Sequence, residues 1–240
     1  MLGTRSECRG RMFFNMDMIG RMVMAIKLII FDLDGTLVDS IDGLATSMNK
    51  VLASRGYPQH RVEDYKRFVG NGIKKLVSRG LPEDLRDPET VDMCYDNMLK
   101  AYHEHYAVGM SIYKGIDAVL NELTAKGVIL AINTNKNQVM AQKVVDLFLS
   151  QWNFVKIIGA DANYEIKPSP AAAIHIANEV GVKPSECIYI GDSEVDLNTA
   201  KNAGMHSILV TWGFRTEEEL LAHKPEVLIK APSEIMRYIG

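Results

Sequence analysis

Two aspartates stand two residues apart in the string Asp32-Leu33-Asp34-Gly35-Thr36, directly after the apolar run Ile26 to Phe31. Carboxylates at i and i+2 leave an extended strand on the same side, so Asp32 and Asp34 can face one ligand. Like charges that close require a cation. A hard divalent ion held by a few carboxylates and waters, with substrate phosphate completing its shell, meets that need, and magnesium is the expected cofactor. With the phosphate's charge screened, an ionised aspartate can attack phosphorus and form an acyl phosphate. Asp32 is read as that nucleophile. Asp34 is read as the acid that protonates the leaving oxygen and later takes a proton from the attacking water, which asks for surroundings that raise its pKa relative to Asp32.

Further polar residues follow other apolar segments. Thr134 and Asn135 offer a hydroxyl and an amide suited to the oxygens of a transferring phosphoryl group, and Lys167 adds positive charge. Phosphoryl transfer asks a protein mainly to position groups and to stabilise dispersed negative charge. Asp192 is the natural third contributor to a metal site, and Asp196, one helical turn on, is placed to support the metal shell rather than to bind directly.

These residues need a scaffold. Apolar runs at Ile26–Phe31, Val128–Ile132, Phe154–Ile158, Cys187–Ile190 and Ser207–Val210 alternate with helix-length segments, predicting a doubly wound, Rossmann-like α/β fold with a parallel sheet. Such sheets bind ligands at the carboxyl ends of their strands, where the loaded residues stand. Ser169 and Pro170 suit an N-cap and first turn, while Gly127, Gly181 and Gly204 suit helix ends. The segment 41–110 has helical periodicity without a convincing strand and is expected to form a helical cap on a core built from 25–40 and 111–240. Residues 1–24 are read as an N-terminal extension without a role in the site, since Met22 and Met24 lie directly before the first strand.

Composition narrows the partners. With 27 basic and 30 acidic residues and no dense Lys/Arg block, a nucleic-acid backbone is a poor ligand. The longest apolar run falls well short of the roughly 18 residues a membrane span needs. Three cysteines, widely spaced, form neither a disulfide framework nor a CxxC pair, which suits a reducing cytoplasm. A small phosphorylated metabolite is the expected partner, and a monomer or homodimer the expected state. His103 and His105, two apart on a helix, face different ways and are read as surface histidines, and Trp152 and Trp212 as packing residues.

Taken together the motifs resemble the haloacid dehalogenase superfamily. Asp32 through Ser40 is similar to its first motif, Thr134-Asn135-Lys136 to its second, Lys167-Pro168-Ser169-Pro170 to its third, and Gly191-Asp192-Ser193 through Asp196 to its fourth. The resemblance implies a metal held by the Asp32 carboxylate, the Asp34 backbone carbonyl and Asp192, and an inserted helical cap that sets specificity. Arg67-Phe68-Val69-Gly70-Asn71-Gly72-Ile73 is similar to the cap loop of phosphoglycolate phosphatases, which makes Gly70, Asn71 and Gly72 candidate substrate contacts. Glycines there let backbone amides approach an anion such as a carboxylate at the start of the next helix. The stretch Asp161 to Ile166 carries no diagnostic substrate group. An inorganic pyrophosphatase would use the same core residues, and a sugar-phosphate mutase is a further rival, against which Thr36 argues. A receiver domain fits poorly, because its phosphorylated aspartate follows a middle strand and it has no cap.

Overall fold

A computed structural model describes residues 26–240 of the chain; the extension read at 1–24 lies outside the described residues. Strand β1, Leu28–Phe31, is wholly buried. Its side chains alternate between two cores: Ile29 and Phe31 join one cluster, Leu28 and Ile30 another. That two-sided burial is why the sequence there is continuously aliphatic rather than alternating. Around it stand β4 (Ile129–Asn137), β5 (Phe154–Ala160), β6 (Cys187–Gly191), β7 (His206–Val210) and β8 (Val227–Ile229), forming a six-stranded sheet in the order β5-β4-β1-β6-β7-β8. All neighbours are parallel. After β5 the chain crosses to the far side of β1 and builds outward again, so the crevice at this reversal opens at the carboxyl ends of β1, β4 and β6.

Helices cover both faces. Ile116, Val119, Leu120 and Leu123 of α5 (Ile116–Ala125) pack with Ala141 and Val144 of α6 (Gln138–Val144) on one side. Ala172, Ala173, Ile176 and Ala177 of α7 (Ala171–Glu179) pack with Ala200 and Ala203 of α8 (Glu194–Ala203) on the other. Between β1 and α5 run four helices: α1 (Ile41–Ser54), α2 (Val62–Phe68), α3 (Ile73–Gly80) and α4 (Pro88–His105). They bury a core of their own, including Leu44, Met48, Val51, Tyr65, Leu76, Val91, Cys94 and Met98, which Met140 and Phe214 join from the sheet side. Asp87 starts α4 by accepting from the Thr90 N–H at 3.0 Å, with Pro88 at the first helical position. The chain enters and leaves this helical segment through a two-stranded antiparallel ladder, β2 (Val38–Asp39) against β3 (Ser111–Ile112).

Several boundaries differ from the sequence expectation. Strand β4 does not end at Ile132 but continues to Asn137, because irregular pairing with β5 keeps the backbone extended past the hydrophobic run. Strand β8 and the β2/β3 ladder are too short for hydrophobic periodicity to reveal. Pro170 caps α7 rather than forming its first turn. Among the described residues no helix is long and apolar enough to cross a membrane.

Candidate active site

Immediately after β1 the chain turns on itself. Leu33 and Leu37, both fully buried, pin a tight loop in which the Gly35 N–H donates to Val38 O at 2.9 Å and the Leu37 and Val38 N–H groups donate to Leu33 O. The loop holds Asp32 and Asp34 over the sheet with different partners. Lys167 Nζ reaches Asp32 Oδ1 at 2.9 Å and Asp196 Oδ1 at 2.6 Å. Lys136 Nζ reaches both Asp34 oxygens, at 2.9 and 3.0 Å.

Asp192, at the end of β6, closes the group. Oxygens of Asp32, Asp192 and Asp196 lie within 4.8 Å of one another, all three side chains buried. Gly35 permits this approach: its φ is +81°, and a Cβ there would fall 2.4 Å from Asp192 Oδ2. Phe214 donates its backbone N–H to the same oxygen at 2.7 Å. Burial, reinforced by the neighbouring carboxylates, pushes Asp192 above the ordinary carboxylate range, and burial does the same to Asp32 although Lys167 opposes it. Burial works against the charge of Lys167, yet Asp196 and Asp32 hold its pKa well above the usual lysine value.

With all three carboxylates ionised, one ammonium would leave two uncompensated negative charges among buried oxygen donors. A hard divalent cation fits both the charge and the donor chemistry. Asp196 joins Asp32 and Asp192 in this cluster through its carboxylate. Its oxygens are already committed, Oδ1 to Lys167 and Oδ2 to the Ser193 N–H at 3.1 Å and hydroxyl at 2.6 Å, as the N3 member of the α8 capping box. The Asp34 carboxylate is instead paired with Lys136. Surroundings that raise a carboxyl are found at Asp32 and Asp192.

A cleft beside the carboxylates is lined by Asp32, Asp34, Thr134, Asn135 and Lys136 from the sheet and by Gly70, Gly72 and Ile73 from the helical segment. Gly72 caps α3, so the start of that helix faces the cleft. Thr134 is buried, and its Oγ1 accepts from the Lys136 N–H at 3.2 Å. Asn135 serves differently from the expected phosphate donor. Its Nδ2 donates to Lys167 O at 3.1 Å and Gly70 O at 3.2 Å, and its Oδ1 accepts from the Lys167 N–H at 2.8 Å. The amide is spent tying Lys167 and the glycine loop together. Asn71 points away: its Oδ1 accepts from Arg79 Nη2 at 2.8 Å, and it does not line the cleft.

Three contributors escaped the sequence reading. Lys136 was quoted within a motif but given no partner. Tyr102, from α4, lines the cleft and bonds Lys136. Arg215, in the loop after β7, donates to Lys66 O at 2.7 Å and Val69 O at 2.8 Å, fastening the end of α2 to the sheet. The rule that strand ends carry chemistry, applied to β7, would have singled out Phe214 and Arg215. His103 and His105 meet different lysines, Lys143 and Lys50. Trp152 is buried in the sheet core with its indole N–H on Asn121, and Trp212 donates to Thr36 O, so both pack as expected.

Over residues 29–210 the chain matches the haloacid dehalogenase-like hydrolases, and it belongs to that family. It is 32% identical over 222 residues to a phosphoglycolate phosphatase of Vibrio parahaemolyticus, covering 90% of this chain and 96% of that protein. To a phosphoglycolate phosphatase of Pseudomonas putida it is 32% identical over 206 residues, covering 85% of this chain and 76% of that protein. A crystal structure from Lactobacillus delbrueckii subsp. bulgaricus, described provisionally as a phosphoglycolate phosphatase, superimposes with a TM-score of 0.85 at 28% identity, covering 90% of this chain and 99% of that one. The protein is a phosphoric monoester hydrolase.

Proposed function

We propose that this chain hydrolyses a small phosphorylated metabolite, with 2-phosphoglycolate the foremost candidate, using magnesium and a phospho-aspartate on Asp32. The observation that carries the reading is the convergence of Asp32, Thr134 and Asp192, from separate segments of the sheet, on one cleft bordered by Gly70 and Gly72, with Lys167 paired to Asp32 behind it. The names of the relatives support the choice of substrate.

Asp32, Asp192 and the Asp34 backbone carbonyl would hold the magnesium ion, with Asp196 fixing the positions of its neighbours. Bound there, magnesium supplies charge neutralisation for the phosphate and for the crowded carboxylates. Asp32 attacks phosphorus; the new bond joins its carboxylate oxygen to phosphorus while the ester oxygen departs with a proton from Asp34. Water then attacks the acyl phosphate, giving its proton to Asp34, and Asp32 is regenerated as phosphate leaves. Thr134 donates to a phosphoryl oxygen, and Lys167 offsets the charge on the transferring group.

Residues 41–110 form the cap in this reading, hinged near Ser40–Gly43 and Ile112–Gly115 on either side of the β2/β3 ladder. Its backbone amides at Gly70, Gly72 and the start of α3 suit the carboxylate of a small acid such as glycolate. The test is phosphate release from 2-phosphoglycolate, pyrophosphate, β-glucose 1-phosphate and nucleoside monophosphates, each with magnesium and with chelator. One dominant substrate, silenced by chelator, supports the proposal. Pyrophosphate as the best substrate, or isomerisation of the sugar phosphate without release, overturns it in favour of those activities.

A further inference from the structure

Tyr102 sits in the last turns of α4, almost wholly buried. The other buried side chains of α4, Val91, Cys94 and Met98, pack into the core of the helical segment. Tyr102 packs into the same core but carries its hydroxyl across to the sheet, where it accepts from Lys136 Nζ at 2.5 Å. A lysine ammonium has three donors. Two are taken by the carboxyl oxygens of Asp34, at 2.9 and 3.0 Å, and Tyr102 supplies the acceptor for the third. All the hydrogen-bonding capacity of a buried ammonium is thus met, but only while α4 lies against the sheet.

A buried charged donor left without an acceptor is costly, so withdrawal of α4 would set Lys136 free to seek another partner. Among the described residues Lys136 is the side-chain partner of the Asp34 carboxylate, whose orientation follows that of Lys136. We infer that Tyr102 is a positioning residue for proton transfer: acting through Lys136, it holds the Asp34 carboxyl towards the leaving oxygen and makes that aim depend on the helical segment being seated. The inference rests on the phosphatase reading above and adds to it a coupling between that segment and the acid.

Tyr102→Phe keeps the ring and removes the oxygen. Its kcat/KM is measured on the best alkyl monoester from the substrate panel, whose leaving oxygen needs a proton, and on p-nitrophenyl phosphate, whose phenolate departs without one. The expected result is a fall of about 10-fold on the alkyl ester, a fraction of the roughly 10²–10⁴ that a general acid contributes, with less than about 2-fold on the aryl ester. Inhibition by inorganic phosphate stays within about 2-fold, since binding is not what is lost. Lys136→Met shows the same split, and adding Tyr102→Phe to it lowers kcat/KM no further, because the two residues act as one unit. Equal losses on both esters, weakened phosphate inhibition, or independent losses in the double variant overturn the inference. A wild-type protein that hydrolyses neither ester refutes the phosphatase reading itself; full alkyl-ester turnover by Tyr102→Phe refutes only the role of Tyr102.

Discussion

Replacing Lys167 with methionine separates the electrostatics of the site from its chemistry. The ammonium lies 2.6 Å from Asp196 and 2.9 Å from Asp32, with 2% of its side chain exposed. Methionine fills a similar volume but leaves three carboxylates, mutually within 4.8 Å, without a cation. Breaking a buried ion pair from one side costs about 3–5 kcal/mol. In a chain of this size each kcal/mol shifts the midpoint by about 2–4 °C, so the chelated variant is expected to melt about 6–20 °C below wild type. The sign of the pH dependence follows from burial. Asp32 and Asp192 already bind protons more tightly folded than unfolded, and loss of Lys167 strengthens that preference. A group raised in the folded state loses its contribution as pH rises, so the gap between variant and wild type should widen from about pH 5.5 to pH 8 as protonation ceases to relieve the repulsion. Magnesium should recover part of the loss. The assay is thermal unfolding in chelator and in magnesium across that range. A shift under about 3 °C at pH 8, or a gap that narrows with rising pH, would refute the argument.

Asp32→Asn should abolish turnover with the melting temperature preserved, since an amide cannot attack phosphorus; activity assay beside a thermal melt decides this, and retained turnover moves the nucleophile elsewhere. A metal present at 100 times its dissociation constant stabilises a protein by about 2.7 kcal/mol. Asp192→Asn should lose most of that magnesium-induced shift, and an unchanged magnesium titration would remove Asp192 from the metal site. Gly35→Ala places a carbon against Asp192 in a left-handed conformation, a strain of about 1–2 kcal/mol before any clash, so both the melting temperature and the magnesium affinity should fall. Burial pushes the Cys187 thiol up to about 12 and raises Cys94 as well. Peptide mass spectrometry after iodoacetamide at pH 8 should therefore find both unmodified in the folded protein and both modified in denaturant.

The parts of the fold written in contiguous runs were legible. Four fully buried residues of β1 announce a central parallel strand because nothing polar is tolerated on either face. The carboxylates and Lys167 were legible because each follows such a run. What was hidden depends on distance in space. Asn135 has the right chemistry for a phosphate, and only its three hydrogen bonds to Lys167 and Gly70 reveal that the protein uses it as a clamp. Tyr102 and Lys136 are 34 positions apart and belong to different layers, so neither residue's type points to the other. The partners of Asp34 and Asp196 were hidden for the same reason: pairing with Lys136 and with Lys167 is a property of the folded chain.

The β2/β3 ladder has a consequence for how such a molecule can be altered. Val38 lies opposite Ile112 and Asp39 opposite Ser111, so the points where the helical segment leaves and rejoins the sheet are hydrogen-bonded neighbours. Joining ends already held together makes little demand on insert length, since loop-closure cost grows only as about the logarithm of length. The length of the chain between 40 and 110 is therefore nearly independent of how the sheet closes beneath it, which makes this short ladder a junction at which that segment can vary in size without a change in the strand order.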